Sequence, residues 1–182
     1  MQAIFDGKDA IVLMPTAGGK SLLYQLPAVM DDAGKLTLVI SPLKALQLDQ
    51  VEALRAKGIR AAVLNSDLSA AEHSSVLEDM TRRGGLLYLV PEQLQNVAVA
   101  EALRTANLTR IAVDEAHTLP QTQDDFRKTY AKMGSFLDQL PHRPQVLALT
   151  ATATRKDVAR IRKSLDIPNA ELFRTPMRRK NL

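Results

Sequence analysis

The amino-acid sequence predicts an α/β domain in which helices cover both faces of a mostly parallel sheet, a three-layer α/β/α arrangement. Six short runs of β-branched residues and leucine lack polar alternation, which is typical of strands buried on both faces of a parallel sheet. These runs lie at residues 10–13, 36–40, 61–64, 86–90, 110–113 and 146–149. Longer segments with helical periodicity separate them, so helical crossovers are expected to join the strands. A chain of 182 residues is long enough for one such domain with a substantial core.

Two of the intervening helices are predicted from their capping signals. Ser69 stands three residues before Glu72, which is the spacing of a capping box, and an apolar stripe follows. Thr154 precedes a second helix, in which Val158 and Ile161 recur at helical spacing. In sheets of this kind ligands bind beyond the carboxyl ends of the strands, so the residues that follow each strand are the first candidates for function.

Composition limits the classes of function. The chain has no cysteine, which excludes disulfides and thiolate metal sites. It has no apolar run near the roughly 18–20 residues that span a bilayer and no signal-peptide pattern at its start, so we expect a cytoplasmic protein with no membrane partner. The net charge of +4 is compatible with a polyanionic partner, whereas an aromatic content of 4% does not favour a broad base-stacking surface.

The residues after the first strand, MPTAGGKS, contain the components of a phosphate-binding loop. Gly18 and Gly19 let consecutive backbone N–H groups approach an anion, Lys20 supplies a charge for the β- and γ-phosphates, and Ser21 supplies a hydroxyl for Mg²⁺. The usual pattern begins with glycine, and Met14 stands there instead. An ordinary glycine turn between strand and helix remains the alternative at this point.

The fifth strand ends in two carboxylates, Asp114 and Glu115. The first is placed to hold Mg²⁺, and the second to orient and deprotonate an attacking water. Adjacent acids at a strand end are also common on surfaces, so the pair alone leaves that alternative open. His117 follows, but a zinc protease motif needs histidines on both sides of the glutamate, and we predict no zinc site.

The two signals together are more specific than either one. Lys20 and Asp114 both follow strands of one predicted sheet, in the order of phosphate loop and then acidic strand end. This order is typical of a domain that hydrolyses ATP or GTP. We therefore predict that the glycines hold phosphate and that Ser21 and Asp114 hold Mg²⁺.

Three other segments follow predicted strands, and each has two interpretations. They are Ser41-Pro42-Leu43, Pro91-Glu92 and Thr150-Ala151-Thr152. The first two open helices, whose initial amides are good contacts for nucleic-acid phosphates but are equally required simply to start a helix. The threonines are placed to link the nucleotide site to a neighbouring surface, or only to form local turns and caps.

Taken in order, the sequence motifs resemble the first motor domain of RecQ-type DNA helicases, which are superfamily 2 motors with two RecA-like lobes. The matching stretches are MPTAGGKSLLYQLPA, VISPLKALQLDQV, LNSDLSAAE, LLYLVPEQL, AVDEAH and LALTATAT. The resemblance covers nearly the whole chain and implies that residues 1–182 form the first RecA-like lobe of an ATP-dependent 3′–5′ DNA helicase. It also accounts for Met14, because the phosphate loop of that family begins with methionine.

The resemblance implies a role for each candidate residue. ATP phosphates would contact Thr16, Ala17, Gly18, Gly19, Lys20 and Ser21. Asp114 would hold Mg²⁺, and the catalytic group would comprise Lys20, Glu115, which activates water, and His117, which couples nucleotide state to DNA. Single-stranded or forked DNA would contact or be coupled through Ser41, Pro42, Leu43, Pro91, Glu92, Phe126, Arg127, Thr150, Ala151 and Thr152. The implied setting is DNA repair and recombination, at the nucleoid in a bacterium.

The sequence departs from the family pattern in two places. After the DEAH box, Thr122 and Asp124 stand where the family has Trp and His in its loop that senses single-stranded DNA. Each lost stacking ring removes a contact worth roughly 1–3 kcal/mol per base. Ala17 replaces a glycine of the phosphate loop, which alanine tolerates only at negative φ.

Both ends of the chain are expected to be cut. Gln2 is too close to the first strand to be the family's adenine-reading glutamine, and Asn181-Leu182 match the connection into the second lobe, which would supply an arginine finger. The sequence thus predicts weak binding of ATP–Mg²⁺ and DNA and no unwinding by this piece alone. The alternatives are another P-loop ATPase or kinase, with Arg127 as its arginine, and a non-catalytic nucleotide- or DNA-binding fragment.

Overall fold

The computed structural model describes residues 1–15, 18–118 and 136–175, and the strands in these ranges form one parallel sheet. The strands are β1 (Ala10–Leu13), β2 (Leu36–Ile40), β3 (Ala61–Leu64), β4 (Gly85–Leu89), β5 (Leu108–Val113), β6 (Gln145–Thr150) and β7 (Glu171–Arg174). Their order across the sheet is β3-β4-β2-β5-β6-β1-β7, and every neighbouring pair is parallel. The predicted parallel α/β sheet is confirmed.

The six predicted strands are all present, and a seventh was not predicted. The first three have the predicted bounds, β4 begins and ends one residue earlier, and β5 and β6 extend the predicted runs. The seventh strand, β7, pairs with β1 at the edge of the sheet, and three of its four residues are exposed. An exposed edge strand needs no apolar run, so the pattern that identifies the buried strands does not identify this one.

The described helices are α1 (Gln2–Phe5), α2 (Leu22–Met30), α3 (Lys44–Arg55), α4 (Ala70–Arg83), α5 (Val97–Thr105) and α6 (Arg155–Ser164), with short 3₁₀ helices at Pro91–Gln95 and Ala116–Thr118. Both predicted helix starts are capping boxes. Ser69 N–H donates to Glu72 at 2.9 Å, and Thr154 N–H donates to Asp157 at 2.8 Å. The Ser69 hydroxyl and N–H lower the pKa of Glu72, and the Thr154 N–H and hydroxyl lower the pKa of Asp157. Within the described ranges, no helix combines the length and hydropathy that crossing a membrane requires.

The helices form two layers, one on each face of the sheet. In β1, Ile11 and Leu13 pack with the core cluster that contains residues of α4, α5 and α6, whereas Ala10 and Val12 pack with the cluster that contains residues of α1, α2 and α3. Because alternate strand residues face opposite layers and both layers are apolar, the strands carry few polar side chains along their length. Polar chemistry is thereby left to the strand ends.

A buried polar network fixes the amino-terminal edge of the sheet. The Arg110 guanidinium donates to Gln145 at 2.8 Å, to Asp31 at 3.0 Å and to Thr37 at 3.2 Å. The Gln145 amide donates in turn to the carbonyl of Ile4 at 2.9 Å. This network joins β5, β6, β2, α1 and the end of α2, so the edge opposite the strand carboxyl ends is held by specific hydrogen bonds.

Glycine is required at position 84, both by the backbone conformation and by the neighbouring atoms. It ends α4 with φ 75°, and a Cβ at this position would lie 2.3 Å from the Lys35 carbonyl oxygen. Gly58 has a similar φ of 74° at the end of α3, but nothing lies within 4 Å of its hypothetical Cβ. A substitution at Gly58 therefore introduces backbone strain alone, whereas one at Gly84 introduces strain together with a steric clash.

We expect Gly58→Ala to lower the free energy of unfolding by about 1 kcal/mol, which is the strain of an L-residue at positive φ. Gly84→Ala adds a clash with backbone atoms that no rotamer can relieve, so it should cost more than about 3 kcal/mol or prevent folding. Urea unfolding of both variants beside the unsubstituted chain measures the difference. Equal losses would show that the contact of Gly84 with Lys35 is not tight.

Candidate functional site

The strand order brings the predicted nucleotide residues to one edge of the sheet. β5, β6 and β1 are neighbours, so the segments that follow them start side by side. The backbone N–H of Met14 donates to the Thr150 carbonyl at 3.0 Å, and that of Asp114 donates to the Ile40 carbonyl at 2.8 Å. The sheet pairing thus continues to the point at which each functional segment begins.

The segment after β1 needs glycine at both predicted positions. A Cβ on Gly18 would lie 2.7 Å from Met14 Cγ and 2.8 Å from the Pro15 carbonyl oxygen, and Gly19 has φ 81°. The Gly19 carbonyl then accepts from Leu22 N–H at 3.0 Å as α2 begins. A backbone this tight, leading directly into a helix amino terminus, fits an anion better than an ordinary surface turn. Thr16 and Ala17 lie outside the described residues.

Lys20 lies between the loop and the acidic strand end. Its Nζ is 3.8 Å from Glu115 Oε1 and 3.4 Å from the Met14 carbonyl oxygen, and its side chain is only 10% exposed. Short charge-assisted hydrogen bonds measure about 2.7–2.9 Å, so neither contact is one. An ammonium group withdrawn from water with two long contacts can form shorter ones with a phosphate.

Ser21 is the N-cap residue of α2, but its side chain makes no capping hydrogen bond. Its carbonyl accepts from Gln25 N–H at 2.9 Å, which is the first helical bond that starts from the serine. The hydroxyl therefore does not satisfy the helix terminus, and the chemistry of a serine directly after the phosphate-loop lysine fits a role as an Mg²⁺ ligand.

Asp114 is a buried carboxylate with an electrostatic penalty. The residue is 6% exposed, and burial raises the pKa of Asp114 above its usual value. The Glu115 N–H, which donates to Asp114 Oδ1 at 3.0 Å, opposes that rise, as do the charges of Lys20 and His117, whereas the Glu115 charge adds to it. A divalent cation would favour the ionised carboxylate, so this residue fits the predicted metal position.

Glu115 has a left-handed backbone, which the sequence does not indicate. Its φ is 49°, and its carbonyl accepts from both the N–H and the hydroxyl of Thr118 at 2.9 Å. An L-residue in this region costs roughly 1–2 kcal/mol, and such strain is concentrated at functional sites. The conformation holds the carboxylate between Lys20 and His117, with its Oε2 3.2 Å from His117 Nδ1.

His117 links the acidic segment to the end of β6. Its Nδ1 lies 2.8 Å from Thr150 Oγ1, and the buried Thr150 hydroxyl also donates to the Thr152 carbonyl at 3.0 Å. A proton on His117 Nδ1 would let this nitrogen donate to both the Thr150 hydroxyl and the Glu115 carboxylate, while the Thr150 hydroxyl donates to Thr152. The two interpretations of the threonines are therefore compatible, since Thr150 makes a local turn and also contacts His117. Ala151 and Thr152 line a cavity of about 610 Å³ beside His117.

The segments after β2 and β4 lie farther along the same edge. Ser41 N–H donates to the Leu89 carbonyl at 3.1 Å, which joins the two segments. Ser41 is 3% exposed, and its hydroxyl has no hydrogen-bond partner among the described residues. After the half-buried Pro42, the exposed Leu43 is the N-cap of α3 and provides no side-chain cap.

The second of these segments begins with buried Pro91 and exposed Glu92, which open the 3₁₀ helix rather than an α-helix. Uncapped amides at the start of α3 are suited to phosphate oxygens, whereas the unpaired Ser41 hydroxyl is enclosed by the protein. The sequence identifies these segments as helix starts but gives no signal for the unpaired Ser41 hydroxyl. Phe126 and Arg127 lie outside the described residues.

The fold and the site define an α/β domain of the class that binds nucleoside triphosphates through a phosphate loop and an acidic strand end. A family model described as DEAD/DEAH box helicase matches residues 1–161. The chain belongs to this family.

Several curated relatives align with most or all of the chain. It is 42% identical over 183 residues to a probable ATP-dependent DNA helicase RecS of Bacillus subtilis, with 100% of this chain and 36% of the relative covered. It is 41% identical to an ATP-dependent DNA helicase RecQ of Pasteurella multocida, with 88% of this chain and 26% of the relative covered. It is 40% identical to an ATP-dependent DNA helicase Q5 of Rattus norvegicus, with 100% of this chain and 19% of the relative covered. The resemblance to RecQ-type helicases is confirmed, and the chain spans about a third of these relatives or less.

Solved structures confirm the fold. A DUF1998 helicase, MrfA, bound to DNA superposes with a TM-score of 0.79 at 21% identity over 96% of this chain and 26% of its own. Helicase Lhr of Mycobacterium smegmatis, bound to single-stranded DNA and AMP-PNP, superposes with a TM-score of 0.75 at 23% identity over 96% of this chain and 25% of its own. The described domain is RecA-like.

We expect Asp114→Asn to stabilise the ligand-free chain at neutral pH. A carboxyl whose pKa is raised on folding contributes stability below its unfolded pKa and loses it as pH rises through its folded pKa, so the ionised residue is destabilising at pH 7. The amide can still accept from Glu115 N–H and carries no charge. Urea unfolding at pH 7 and at pH 4.5 should show a larger gain for the variant at pH 7.

Asp157→Asn is the control with the opposite sign. Hydrogen bonds from Thr154 lower the pKa of Asp157, so its contribution is present above its unfolded pKa and is lost as pH falls through the lowered folded pKa. This variant should be less stable than the unsubstituted chain at pH 7. A loss of stability in Asp114→Asn at pH 7 would contradict the assigned burial penalty.

Proposed function

We propose that residues 1–182 are the nucleotide-binding motor lobe of an ATP-dependent 3′–5′ DNA helicase of RecQ type. The observation that carries the proposal is the position of Lys20, which faces Glu115 at 3.8 Å and directly follows two positions, Gly18 and Gly19, that require glycine. Membership of the DEAD/DEAH box family and the names of the relatives support DNA as the partner. In a bacterium the protein would then work in the cytoplasm, at the nucleoid.

The residues of the site fit ATP with Mg²⁺. Gly18 and Gly19, together with Thr16 and Ala17, would surround the phosphates, Lys20 would neutralise them, and Ser21 and Asp114 would hold the metal ion. Transfer of the terminal phosphate to water would supply the free energy of the motor. The buried position of Asp114 makes an ion pair with a divalent cation stronger than it would be in water.

Glu115 is the residue that would orient water and accept its proton. Its carboxylate is 19% exposed, its backbone is fixed by the left-handed turn, and one oxygen already faces His117. A proton gained by Glu115 changes the charge beside His117, and His117 is hydrogen-bonded to Thr150. This chain of contacts would pass the state of the site to Thr152 on the exposed side of the edge.

Single-stranded or forked DNA would lie along the other half of the edge. The uncapped amino terminus of α3 would supply donors for its phosphates, and Ser41, Pro42 and Leu43 would lead from the end of β2 to that terminus. Pro91 and Glu92 would border the same strand. We propose that unwinding requires a second RecA-like lobe, which would contribute an arginine to the nucleotide site.

Lys20→Ala should weaken the binding of ATP–Mg²⁺ to this chain by at least about tenfold, because a hydrogen bond to a charged group contributes roughly 1.5–3 kcal/mol. Isothermal titration calorimetry measures the dissociation constant. The matched control is Lys35→Ala, since Lys35 pairs with Asp32 at the surface, at the start of β2, and should leave it unchanged. Binding that is unaffected by Lys20→Ala would place the nucleotide elsewhere and overturn the assignment of the loop.

Glu115→Gln should lower ATP turnover by at least about 100-fold in the full-length protein while ATP affinity stays within a few-fold, because only the proton acceptor is lost. Glu101→Gln, on the exposed side of α5, is the control and should have full turnover. Turnover is measured with and without single-stranded DNA, and DNA should raise it. ATP turnover that is the same with and without single-stranded DNA would favour another P-loop ATPase or kinase. DNA binding without ATP turnover would favour a non-catalytic fragment.

A further inference from the structure

A polar cluster lies inside the helical layer that covers one face of the sheet. Gln50 Oε1, on α3, accepts from the Tyr24 hydroxyl at 2.8 Å and from Gln25 Nε2 at 3.3 Å, both on α2. Gln25 Nε2 also donates to the Tyr88 hydroxyl on β4 at 3.1 Å. The rings of Tyr24 and Tyr88 meet edge to face, with centroids 6.4 Å apart. Four side chains thus join two helices and one strand.

Both tyrosines of this cluster are buried together with their polar hydroxyl groups. Tyr24 is 0% exposed and Tyr88 is 1% exposed. Burial raises the pKa of Tyr88 to about 12 and also raises that of Tyr24, so both hydroxyls keep their protons at physiological pH. Phenylalanine would fill the same space without a desolvated hydroxyl. The hydroxyls are compensated only through hydrogen bonds of defined geometry, which restrict how α2, α3 and β4 can sit together.

Each element in the cluster leads within a short distance to a different part of the site. Gln25 follows the N-cap Ser21 by one turn of α2, or about 6 Å. Gln50 lies on α3, whose first residues follow Ser41, and Tyr88 stands three residues before Pro91. The cluster therefore connects the phosphate-loop helix with the two segments proposed to follow DNA.

The hydrogen bonds of Gln25 tie α2 to two other elements. Its Nε2 carries two N–H groups, of which one donates to Tyr88 on β4 at 3.1 Å and the other to Gln50 on α3 at 3.3 Å. A shift of α2 by a few tenths of an ångström would change the lengths of both bonds at once. The relative position of α2, α3 and the end of β4 is thus a physical element that ligands at both ends can bias.

On the basis of the proposed function, we propose that Gln25, Gln50 and Tyr88 are positioning residues that couple nucleotide binding at α2 to single-stranded DNA binding at Ser41 and Pro91. None of the three is assigned to contact either ligand. Their effect is exerted through the positions of α2, α3 and the end of β4. Binding coupling is reciprocal, so the factor by which DNA changes nucleotide affinity equals the factor by which nucleotide changes DNA affinity.

The test is the ratio of dissociation constants for AMP-PNP–Mg²⁺ without and with saturating single-stranded DNA, measured on the full-length protein. A ratio clearly different from one, in the range of about 5–150-fold, is expected for the unsubstituted protein. Gln50→Leu and Tyr88→Phe should bring the ratio to within about twofold of one. Each should leave the affinity for either ligand alone within about threefold.

Two further variants separate coupling from stability. Gln145→Leu is the matched control, because it removes buried hydrogen bonds of the same kind at the opposite edge of the sheet and should lower stability without changing the ratio. Gln50→Glu keeps an oxygen that can accept from Tyr24 and Gln25, so it should restore the ratio. A purely structural role would instead give the same ratio in every folded variant.

The outcomes distinguish this inference from the proposed function. Nucleotide binding that responds to Lys20→Ala, together with a ratio of one in the unsubstituted protein or an unchanged ratio in Gln50→Leu and Tyr88→Phe, would overturn the inference alone. Absence of Lys20-dependent nucleotide binding would overturn the proposed function and the inference with it. A ratio near one in Gln145→Leu as well would show that the coupling ratio depends on the stability of the protein, which also overturns the inference.

Discussion

The structure depends on a parallel sheet whose central strands are buried on both faces. Apolar helical layers pack against alternate residues of each strand, so a polar side chain along a strand would be desolvated without compensation. Buried polar groups within strands, such as Arg110 and Tyr88, are therefore hydrogen-bonded, most other polar groups stand at the strand ends, and parallel pairing places all carboxyl ends at one edge. The order of strands then decides which segments meet. Because β6 separates β1 from β5, the phosphate loop and the acidic pair face each other across Thr150.

This arrangement is unfavourable in parts when no ligand is bound. Asp114 is buried with a raised pKa, Glu115 has a left-handed backbone, and the Ser41 hydroxyl lacks a partner among the described residues. Each feature lowers stability, and a cation at Asp114 would relieve the first of them. The opposite edge of the sheet, held by Arg110 and its partners, shows the contrast, because its buried polar groups are paired within the protein.

The sequence predicts those features that arise from local pattern. Apolar runs identify the six buried strands, a capping-box spacing identifies the start of α4, Thr154 before an apolar period identifies that of α6, and the glycine-lysine-serine order predicts a phosphate loop. Features that depend on tertiary proximity have no such signal. His117 and Thr150 are 33 positions apart, and Gln25 and Tyr88 are 63 apart, so their contacts follow from the strand order alone. Nothing in the sequence distinguishes Tyr24 and Tyr88 from purely apolar core residues, and β7 is missed because most of its side chains are exposed.

The sheet itself limits how a movement can pass from the nucleotide residues after β1, β5 and β6 to the segments after β2 and β4. The ends of β5, β2 and β4 are joined by backbone hydrogen bonds, from Asp114 to Ile40 and from Ser41 to Leu89, and a strand cannot slide without breaking its register. A helix packed on the sheet has more freedom, because its contacts are side chains that can shift slightly without breaking a ladder. A response to nucleotide is therefore more readily carried by α2 against α3 than by the strands. The hydrogen bonds of Gln25 join α2 to α3 and to β4, at a position where such a small movement changes the lengths of both.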